Sequence, residues 1–213
     1  MTNSKLQELL SEFGGKYENQ NFISKYLIDS FYREIRAVIA SFPETYSLLE
    51  IGCGIGESSL QIAKGLGCRT LEVSEFEDEM VHHLKSNNFP LRICQESVYE
   101  LNRLDSSFDC VLLLEVLEHL DNPEAALAEI FRVSKQDVII SVPNEPLWRV
   151  LNFCRGKYWS DWGNTPGHIN HWSSNSLVEL LSKYGKIKKL VKTTPWLIVH
   201  LDSRNSSANA LDS

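Results

Sequence analysis

The chain has 213 residues, of which 43% are hydrophobic and 23% charged; this ordinary globular composition excludes a disordered or fibrous protein. Its formal net charge is −7, which argues against sequence-independent binding to a phosphate backbone. The charge is unevenly distributed, because residues 48–150 carry 8 basic and 18 acidic side chains whereas residues 151–213 carry 8 and 4.

Strands and helices alternate along the chain. A first helix is predicted over Phe22–Phe42, where apolar residues recur at helical spacing before Pro43. Alternating strands and helices of this length predict a parallel sheet covered by helices on both faces. The last two strands are too close in sequence to be parallel, so we expect an antiparallel hairpin at one edge of a seven-stranded, doubly wound α/β sheet. The predicted strands are 47–51, 69–74, 91–94, 108–114, 137–142, 187–193 and 196–201; the later helices are 57–66, 77–87, 123–133 and 174–184.

The sequence also predicts the domain organisation and the location of the protein. We expect one domain over 1–202, with N-terminal helices in 1–43, an insertion at 144–172 and a disordered tail at 203–213. The five cysteines form no CxxC pair, which favours a reduced, cytoplasmic protein. The first residues show no apolar signal core, and no apolar run approaches the roughly 18 residues of a membrane span. No membrane partner is therefore expected.

The glycine-rich segment Leu49–Gly56 is the most informative part of the chain. It follows a predicted strand and opens a helix, where unpaired backbone N–H groups can receive a ligand. The spacing is Glu-x-Gly-x-Gly-x-Gly, with Glu57 in the place of the third glycine of a dinucleotide motif. Glu50, at the end of the strand, can receive a cation. This combination favours a ligand with an ammonium and a carboxylate but no phosphate. It argues against a nicotinamide oxidoreductase, which is one alternative function for a sheet of this kind.

A second acidic residue follows the next strand. Glu75 lies about 20 residues beyond the glycines, where a carboxylate can accept two hydrogen bonds from ribose hydroxyls. Phe76, next to it, can lie against a purine face. The two segments together predict a nucleoside-containing cofactor.

Through the glycine-rich segment Leu49–Gly56 and the acid Glu75, the chain resembles the class I S-adenosylmethionine-dependent methyltransferases. The resemblance is to the small, single-domain type with a Rossmann-like fold. The resemblance implies S-adenosyl-L-methionine as cofactor and S-adenosyl-L-homocysteine as product. Gln95-Glu96-Ser97 stands where the family usually has Gly-Asp-Ala, and Glu115–Leu120 matches the exit of the fourth strand. The implied cofactor-binding residues are Glu50, Gly52, Cys53, Gly54, Gly56, Glu75, Phe76, Glu96, Ser97 and Glu115.

The insertion 144–172 is expected beside the transferred methyl group, because ligands of such sheets bind outside the carboxyl ends of the strands. It contains four of the five tryptophans, which either hold the loop on the domain or line an acceptor pocket. A histidine near the acceptor could act as general base or could bridge backbone groups. The candidate bases are His168, His171 and His119; the candidate acceptor-binding residues are Tyr17, Trp159, Trp162 and Trp172.

The function expected from the sequence is methyl transfer to a small-molecule acceptor, most simply at oxygen, without nucleic acid as substrate. One alternative is a metal-assisted O-methyltransferase using Glu115, Glu118 and His119, a set that resembles the metal ligands of some relatives. Another is a methyltransferase-like module that binds cofactor without catalysis. The sequence leaves open the acceptor, whether oxygen, nitrogen or carbon is methylated, and the oligomeric state, because fold and cofactor motifs do not determine them.

Overall fold

The elements of the fold were located in a computed structural model, which describes residues 6, 7, 10, 22–145, 147 and 169–204. The strands are β1 (Ser47–Ile51), β2 (Thr70–Glu75), β3 (Arg92–Gln95), β4 (Phe108–Leu114), β5 (Ser134–Pro143), β6 (Lys186–Thr193) and β7 (Trp196–Asp202). The helices are α1 (Phe22–Ala40), α2 (Glu57–Ala63), α3 (Asp78–Ser86), α4 (Pro123–Val133) and α5 (Ser174–Leu181), with a 3-10 turn at Leu117–His119.

The strands form one seven-stranded sheet in the order β3-β2-β1-β4-β5-β7-β6. The first five strands are parallel, while β7 pairs antiparallel with both β5 and β6. The predicted mostly parallel sheet with an antiparallel edge hairpin is confirmed. The order reverses between β1 and β4, so the crevice at their carboxyl ends is where an open α/β sheet binds its ligand.

Helices cover both faces of the sheet, as a doubly wound fold requires. On one face, α4 and α5 bury Leu127, Ile130 and Leu181 in a core shared with β4 and β5. On the other, α1, α2 and α3 bury Ile35, Ile62 and Met80 in a second core. Both faces of the central strands are therefore apolar, which explains why β4 reads as a continuous hydrophobic run.

Two helices begin at the residues that the sequence predicts. Asn122 caps α4 by accepting a hydrogen bond from Ala125 N at 3.1 Å, and Pro123 occupies the first turn. Ser173, predicted as the N-cap of α5, accepts from Ser176 N at 3.2 Å and completes a capping box. The entry to α5 fixes the chain just after the insertion.

Several element ends differ from the predicted ones. The helix predicted over 174–184 ends at Leu181, because Lys183 N and Tyr184 N bond three residues back and tighten the last turn. Strand β5 begins at Ser134 rather than 137, since Ser134 pairs with Phe108 across a register shift. Ser203 is still buried, and its N–H donates to Gln136 O at 2.9 Å. The rest of the predicted tail, 205–213, lies outside the described residues.

Among the helices that the structure describes, none combines the length and the apolar character needed to cross a membrane.

Candidate active site

The glycine-rich turn at the end of β1 is built from three residues in the left-handed region. Gly52, Gly54 and Gly56 have φ values of 74°, 54° and 79°, a conformation that side chains with a Cβ rarely adopt. The N–H groups of Gly52 and Cys53 both donate to Ser74 O, at 2.9 and 3.0 Å. The turn is thereby attached to the end of β2.

The turn also packs closely against the exit of β4. A Cβ at Gly52 would lie 2.7 Å from Val116 Cγ2, a distance that leaves room only for glycine. Cys53 is buried beside it, and burial raises the pKa of its thiol well above the usual range. Cys53 is therefore a neutral, packed side chain that shapes the turn.

Glu75 connects the end of β2 to the turn. Its Oε2 accepts from Gly54 N at 2.8 Å, and its Oε1 accepts from Phe76 N at 2.8 Å and from Glu77 N at 3.1 Å. The carboxylate is thus fixed at the carboxyl end of the sheet, where the sequence predicts a ribose. The adjacent Phe76 ring is 63% exposed, so its face is open to a purine.

Glu50 is completely buried, with 0% of its surface exposed. Its Oε2 accepts a short hydrogen bond from the Ser59 hydroxyl at 2.5 Å. Burial raises the pKa of Glu50 to about 7; the Ser58 and Ser59 hydroxyls oppose the rise and nearby Glu75 adds to it. Glu50 therefore faces α2 in this structure, and its predicted contact with a cation stays a prediction.

The raised pKa of Glu50 predicts a pH-dependent stability that a single substitution removes. Because the folded state holds this proton more tightly than the unfolded chain, the stabilisation is complete below about pH 4.5 and is lost as pH rises through 7. Between pH 5 and 8 the free energy of unfolding should fall by about 2 to 3 kcal/mol on account of Glu50. Urea unfolding of Glu50→Gln should show a flatter profile over this range; a profile as steep as that of the wild type would contradict the assignment.

Glu96 follows β3 and turns toward an arginine. Its N–H donates to Glu75 O at 3.0 Å, which places the residue beside the ribose-binding candidate. Its Oε1 accepts from Arg103 Nε at 2.8 Å, and Arg103 Nη1 reaches Glu72 Oε2 at 2.9 Å. The Glu96 side chain is buried against Arg103. The contact predicted between this carboxylate and adenine stays a prediction, as does the role of Ser97, whose Oγ accepts from Tyr99 N at 3.2 Å.

Glu115, directly after β4, has the left-handed φ of 58°. Its N–H donates to both the carbonyl and the hydroxyl oxygen of Ser141, each at 3.2 Å, and Ser141 Oγ in turn donates to Glu115 Oε1 at 2.8 Å. Non-glycine residues in this conformation are uncommon and concentrate at functional positions. The backbone and carboxylate of Glu115 are thus both held at the exit of β4 by Ser141 of β5.

The set considered for a metal ion does not gather in the described structure. Glu118 is buried, whereas His119 is partly exposed with Nε2 4.0 Å from Glu118 Oε1. Within the part of the chain that the structure describes, no three His, Cys, Asp or Glu side chains form a group that could hold a metal.

The end of the insertion returns to the carboxyl ends of β4 and β5. The N–H groups of Ile169 and Asn170 both donate to Glu118 O at 3.0 Å, and Glu145 N donates to Trp172 O at 3.0 Å. His171 Nδ1 lies 3.8 Å from Glu145 Oε1, within ion-pair distance. The other predicted residues of the acceptor side, Tyr17, Trp159, Trp162 and His168, lie outside the described residues.

Three residues of this site were not predicted. Ser141, near the end of β5, bonds to Glu115, and Glu145, just after β5, lies at ion-pair distance from His171. Arg103, in a loop, binds Glu96. Ser141 carried a usable signal, because a hydroxyl within the apolar run 138–142 requires a buried partner. Nothing in the local sequence distinguishes Arg103 from a solvated surface arginine.

Several known proteins are similar to this chain in sequence or in fold. The family model described as "Methyltransferase domain" matches residues 6–185. Probable S-adenosylmethionine-dependent methyltransferase Rv3030 of Mycobacterium tuberculosis (strain H37Rv) is 27% identical over 140 residues, 65% of this chain and 47% of the relative. Norajmaline N-methyltransferase of Rauvolfia serpentina is 29% identical over 93 residues, 41% of this chain and 32% of the relative. The chain thus spans about a third to a half of the length of these curated relatives.

A solved structure extends the likeness to nearly the whole fold. Magnesium protoporphyrin IX methyltransferase (ChlM) from Synechocystis PCC 6803, solved with bound S-adenosylhomocysteine, superposes with a TM-score of 0.64 at 15% identity, covering 94% of this chain and 99% of that one. At this identity the likeness concerns the fold. Together with the family match over most of the chain, it confirms the resemblance inferred from the glycine turn and the acid after β2. The chain belongs to the methyltransferase domain family and is a class I S-adenosylmethionine-dependent methyltransferase in fold and cofactor.

Proposed function

We propose that this chain transfers the methyl group of S-adenosylmethionine to an oxygen atom of a small-molecule acceptor. The observation that carries the proposal is the convergence on one edge of the sheet: Gly54 bonds Glu75, Val116 packs on Gly52, and Ile169–Trp172 returns to the same strand ends. These contacts bring the turn after β1, the end of β2 and the end of the insertion to one edge of the sheet, which supports a common site for cofactor and acceptor.

The residues at this edge would hold the cofactor by distinct contacts. The Glu75 carboxylate would accept the ribose hydroxyls, the exposed Phe76 ring would lie against the adenine, and the glycine turn would admit the methionine part. When bound, the cofactor supplies an electrophilic methyl group on its sulfonium. The protein then has to align the acceptor with that methyl group and exclude water, and positioning of this kind accounts for much of the acceleration in such transfers.

His171 is the best-supported candidate for the general base. It lies at the closing end of the insertion, and Glu145 Oε1, 3.8 Å from its Nδ1, is placed to stabilise the imidazolium formed when the ring takes a proton. A hydroxyl acceptor would need such a base, since it loses its proton as the methyl group arrives. His168 and His119 remain the other two candidates.

A nitrogen acceptor is the second candidate function, favoured by the relative whose name specifies N-methylation. A direct assay distinguishes the two. The protein would be incubated with S-adenosylmethionine labelled with ¹³C in the methyl group and with separate panels of phenols, catechols, carboxylic acids and amines. Carbon-13 NMR separates O-methyl from N-methyl products by chemical shift. O-methyl products are expected; exclusively N-methyl products would overturn the oxygen assignment, and no product from any panel would favour the non-catalytic module.

The same assay tests the metal-assisted alternative. Turnover that is unchanged by prior treatment with EDTA would count against a required divalent cation. Loss of turnover on chelation and its recovery with a divalent cation would instead support the set Glu115, Glu118 and His119.

Substituting the catalytic base should lower turnover without weakening the binding of the cofactor product. His171→Ala should lower kcat by about 100-fold or more, as expected for loss of a general base, while leaving the dissociation constant of S-adenosylhomocysteine within about twofold. His168→Ala, assayed in parallel, tests the other candidate of the insertion. The exposed His82 on α3 provides a control, and His82→Ala should change neither quantity. Unchanged turnover in both His171→Ala and His168→Ala would end the hypothesis of a base in the insertion.

Domain extent and location complete the proposal. One domain over 1–202 is supported by the sheet, whose last strand ends at Asp202, and by the family match over 6–185. The cytoplasmic location stays a prediction from the cysteine pattern.

A further inference from the structure

Ser141 is a buried polar residue that the cofactor motifs do not include. It lies on β5 within the apolar run 138–142 and has no exposed surface. A hydroxyl in such a place costs free energy unless it is hydrogen-bonded. Its partner is Glu115, which follows β4, the neighbouring strand.

The contact between these two residues is reciprocal. Ser141 Oγ donates to Glu115 Oε1 at 2.8 Å and accepts from Glu115 N at 3.2 Å. The Ser141 carbonyl accepts from the same N–H, also at 3.2 Å. One serine thus fixes both the backbone and the carboxylate of Glu115, whose left-handed φ of 58° is strained for a residue with a Cβ and persists only where the surroundings impose it.

The position of Glu115 indicates what this arrangement serves. Glu115 directly follows β4 and its neighbour Val116 touches the glycine turn at Gly52, so the residue stands beside the turn that follows β1, with its carboxylate held by Ser141 of β5. Glu50, at the end of β1, is fully buried against Ser59, and the Glu75 carboxylate already accepts three backbone N–H groups. Glu115 is only partly buried, so a cationic group that arrives at this edge of the sheet can reach it.

We propose that Ser141 is a positioning residue for the cofactor: its hydroxyl holds the Glu115 carboxylate where it receives the ammonium group of the methionine part. This inference rests on the proposed cofactor site. A hydrogen bond to a carboxylate leaves its charge intact while fixing its direction, and a fixed carboxylate loses less side-chain entropy when the ammonium binds. Ser141 would thereby affect the amino-acid end of the cofactor and leave the adenosine end unaffected.

Two ligands separate this role from a general structural one. S-adenosylhomocysteine carries the ammonium, whereas 5′-methylthioadenosine has the same adenosine without the amino-acid part. Calorimetric titration of Ser141→Ala should show S-adenosylhomocysteine bound about tenfold more weakly, the size expected for a hydrogen bond to a charged group. The dissociation constant of 5′-methylthioadenosine should stay within about twofold of the wild-type value.

Further variants complete the test. Glu115→Gln should lose affinity for S-adenosylhomocysteine selectively, and Ser141→Ala added to it should cause little further loss, because the two residues act as one unit. Ser141→Thr, which keeps a hydroxyl, should retain most of the selectivity. Ser134→Ala is the matched control: Ser134 is a second buried serine of β5, its hydroxyl bonds Asp137 O and Ser203 Oγ, and neither dissociation constant should change.

The outcomes are distinguishable. If Ser141→Ala weakens both ligands equally, or neither, the proposal is overturned while the cofactor site stands. If neither ligand binds the wild-type protein, the proposed function itself fails. Should Ser141→Ala not fold, Ser141→Cys keeps the volume with only a weak donor, and the same selective loss is expected from it.

Discussion

Replacement of Glu75 by alanine should weaken the binding of S-adenosylhomocysteine by at least about 100-fold. The carboxylate would accept two ribose hydroxyls, and hydrogen bonds to a charged group contribute about 1.5 to 3 kcal/mol each. It also accepts the backbone N–H of Gly54 and so fixes the turn that is proposed to receive the rest of the cofactor. The loss should be visible by isothermal titration with S-adenosylhomocysteine.

A charge-matched control distinguishes this effect from a general loss of acidity. Asp78 is an exposed carboxylate three residues further on, in the first turn of α3, and Asp78→Ala should bind the ligand like the wild type. Glu75→Gln, which keeps one carbonyl acceptor, should lie between the two. Wild-type affinity in Glu75→Ala would show that the acid after β2 does not hold the ribose.

Alanine at Gly56 should destabilise the fold by about 2 to 5 kcal/mol. Gly56 precedes α2 with φ of 79°, where a Cβ costs about 1 to 2 kcal/mol. That Cβ would also overlap the Phe89 ring, and overpacking of this kind costs about 1 to 3 kcal/mol. Urea unfolding of Gly56→Ala beside the wild type measures the sum.

Gly65 provides the matched control for Gly56. It lies just after α2 without a left-handed φ, and its Cβ would meet the Arg36 side chain, which can move. Gly65→Ala should therefore change the free energy of unfolding much less. Adding Phe89→Leu to Gly56→Ala should restore part of the stability that is lost to the overlap. It should not restore the stability that is lost to backbone strain. Equal stability of the two alanine variants would contradict the left-handed turn.

The arrangement of strands and helices could be predicted because its causes are local. Strand β4 is a continuous apolar run bounded by polar residues, and α4 has Asn122 and Pro123 at its start. Both have the predicted bounds. The helix after the glycine turn ends at Ala63 rather than at 66, because Gly65 N bonds to Ile62 O in a tight turn that no periodicity reveals.

The candidate site could be predicted only in part, because only some of its contacts are local in the sequence. The glycine turn and Glu75 follow from the order strand, turn, helix, strand, and the hydrogen bond between Gly54 and Glu75 brings them together. The contact of Ser141 with Glu115 joins residues 26 positions apart, and that of Arg103 with Glu72 joins residues 31 apart. Such contacts depend on the strand order, which a single sequence does not state.

Wild-type protein titrated with S-adenosylhomocysteine and, separately, with NADH tests the central claim most directly. At a concentration 100 times its dissociation constant, a ligand that binds only the folded state adds about 2.7 kcal/mol of stability, which should raise Tm by about 5 °C or more for a chain of this length. S-adenosylhomocysteine is expected to produce this shift and NADH none. A shift with NADH and none with S-adenosylhomocysteine would contradict the assignment of the cofactor to this edge of the sheet.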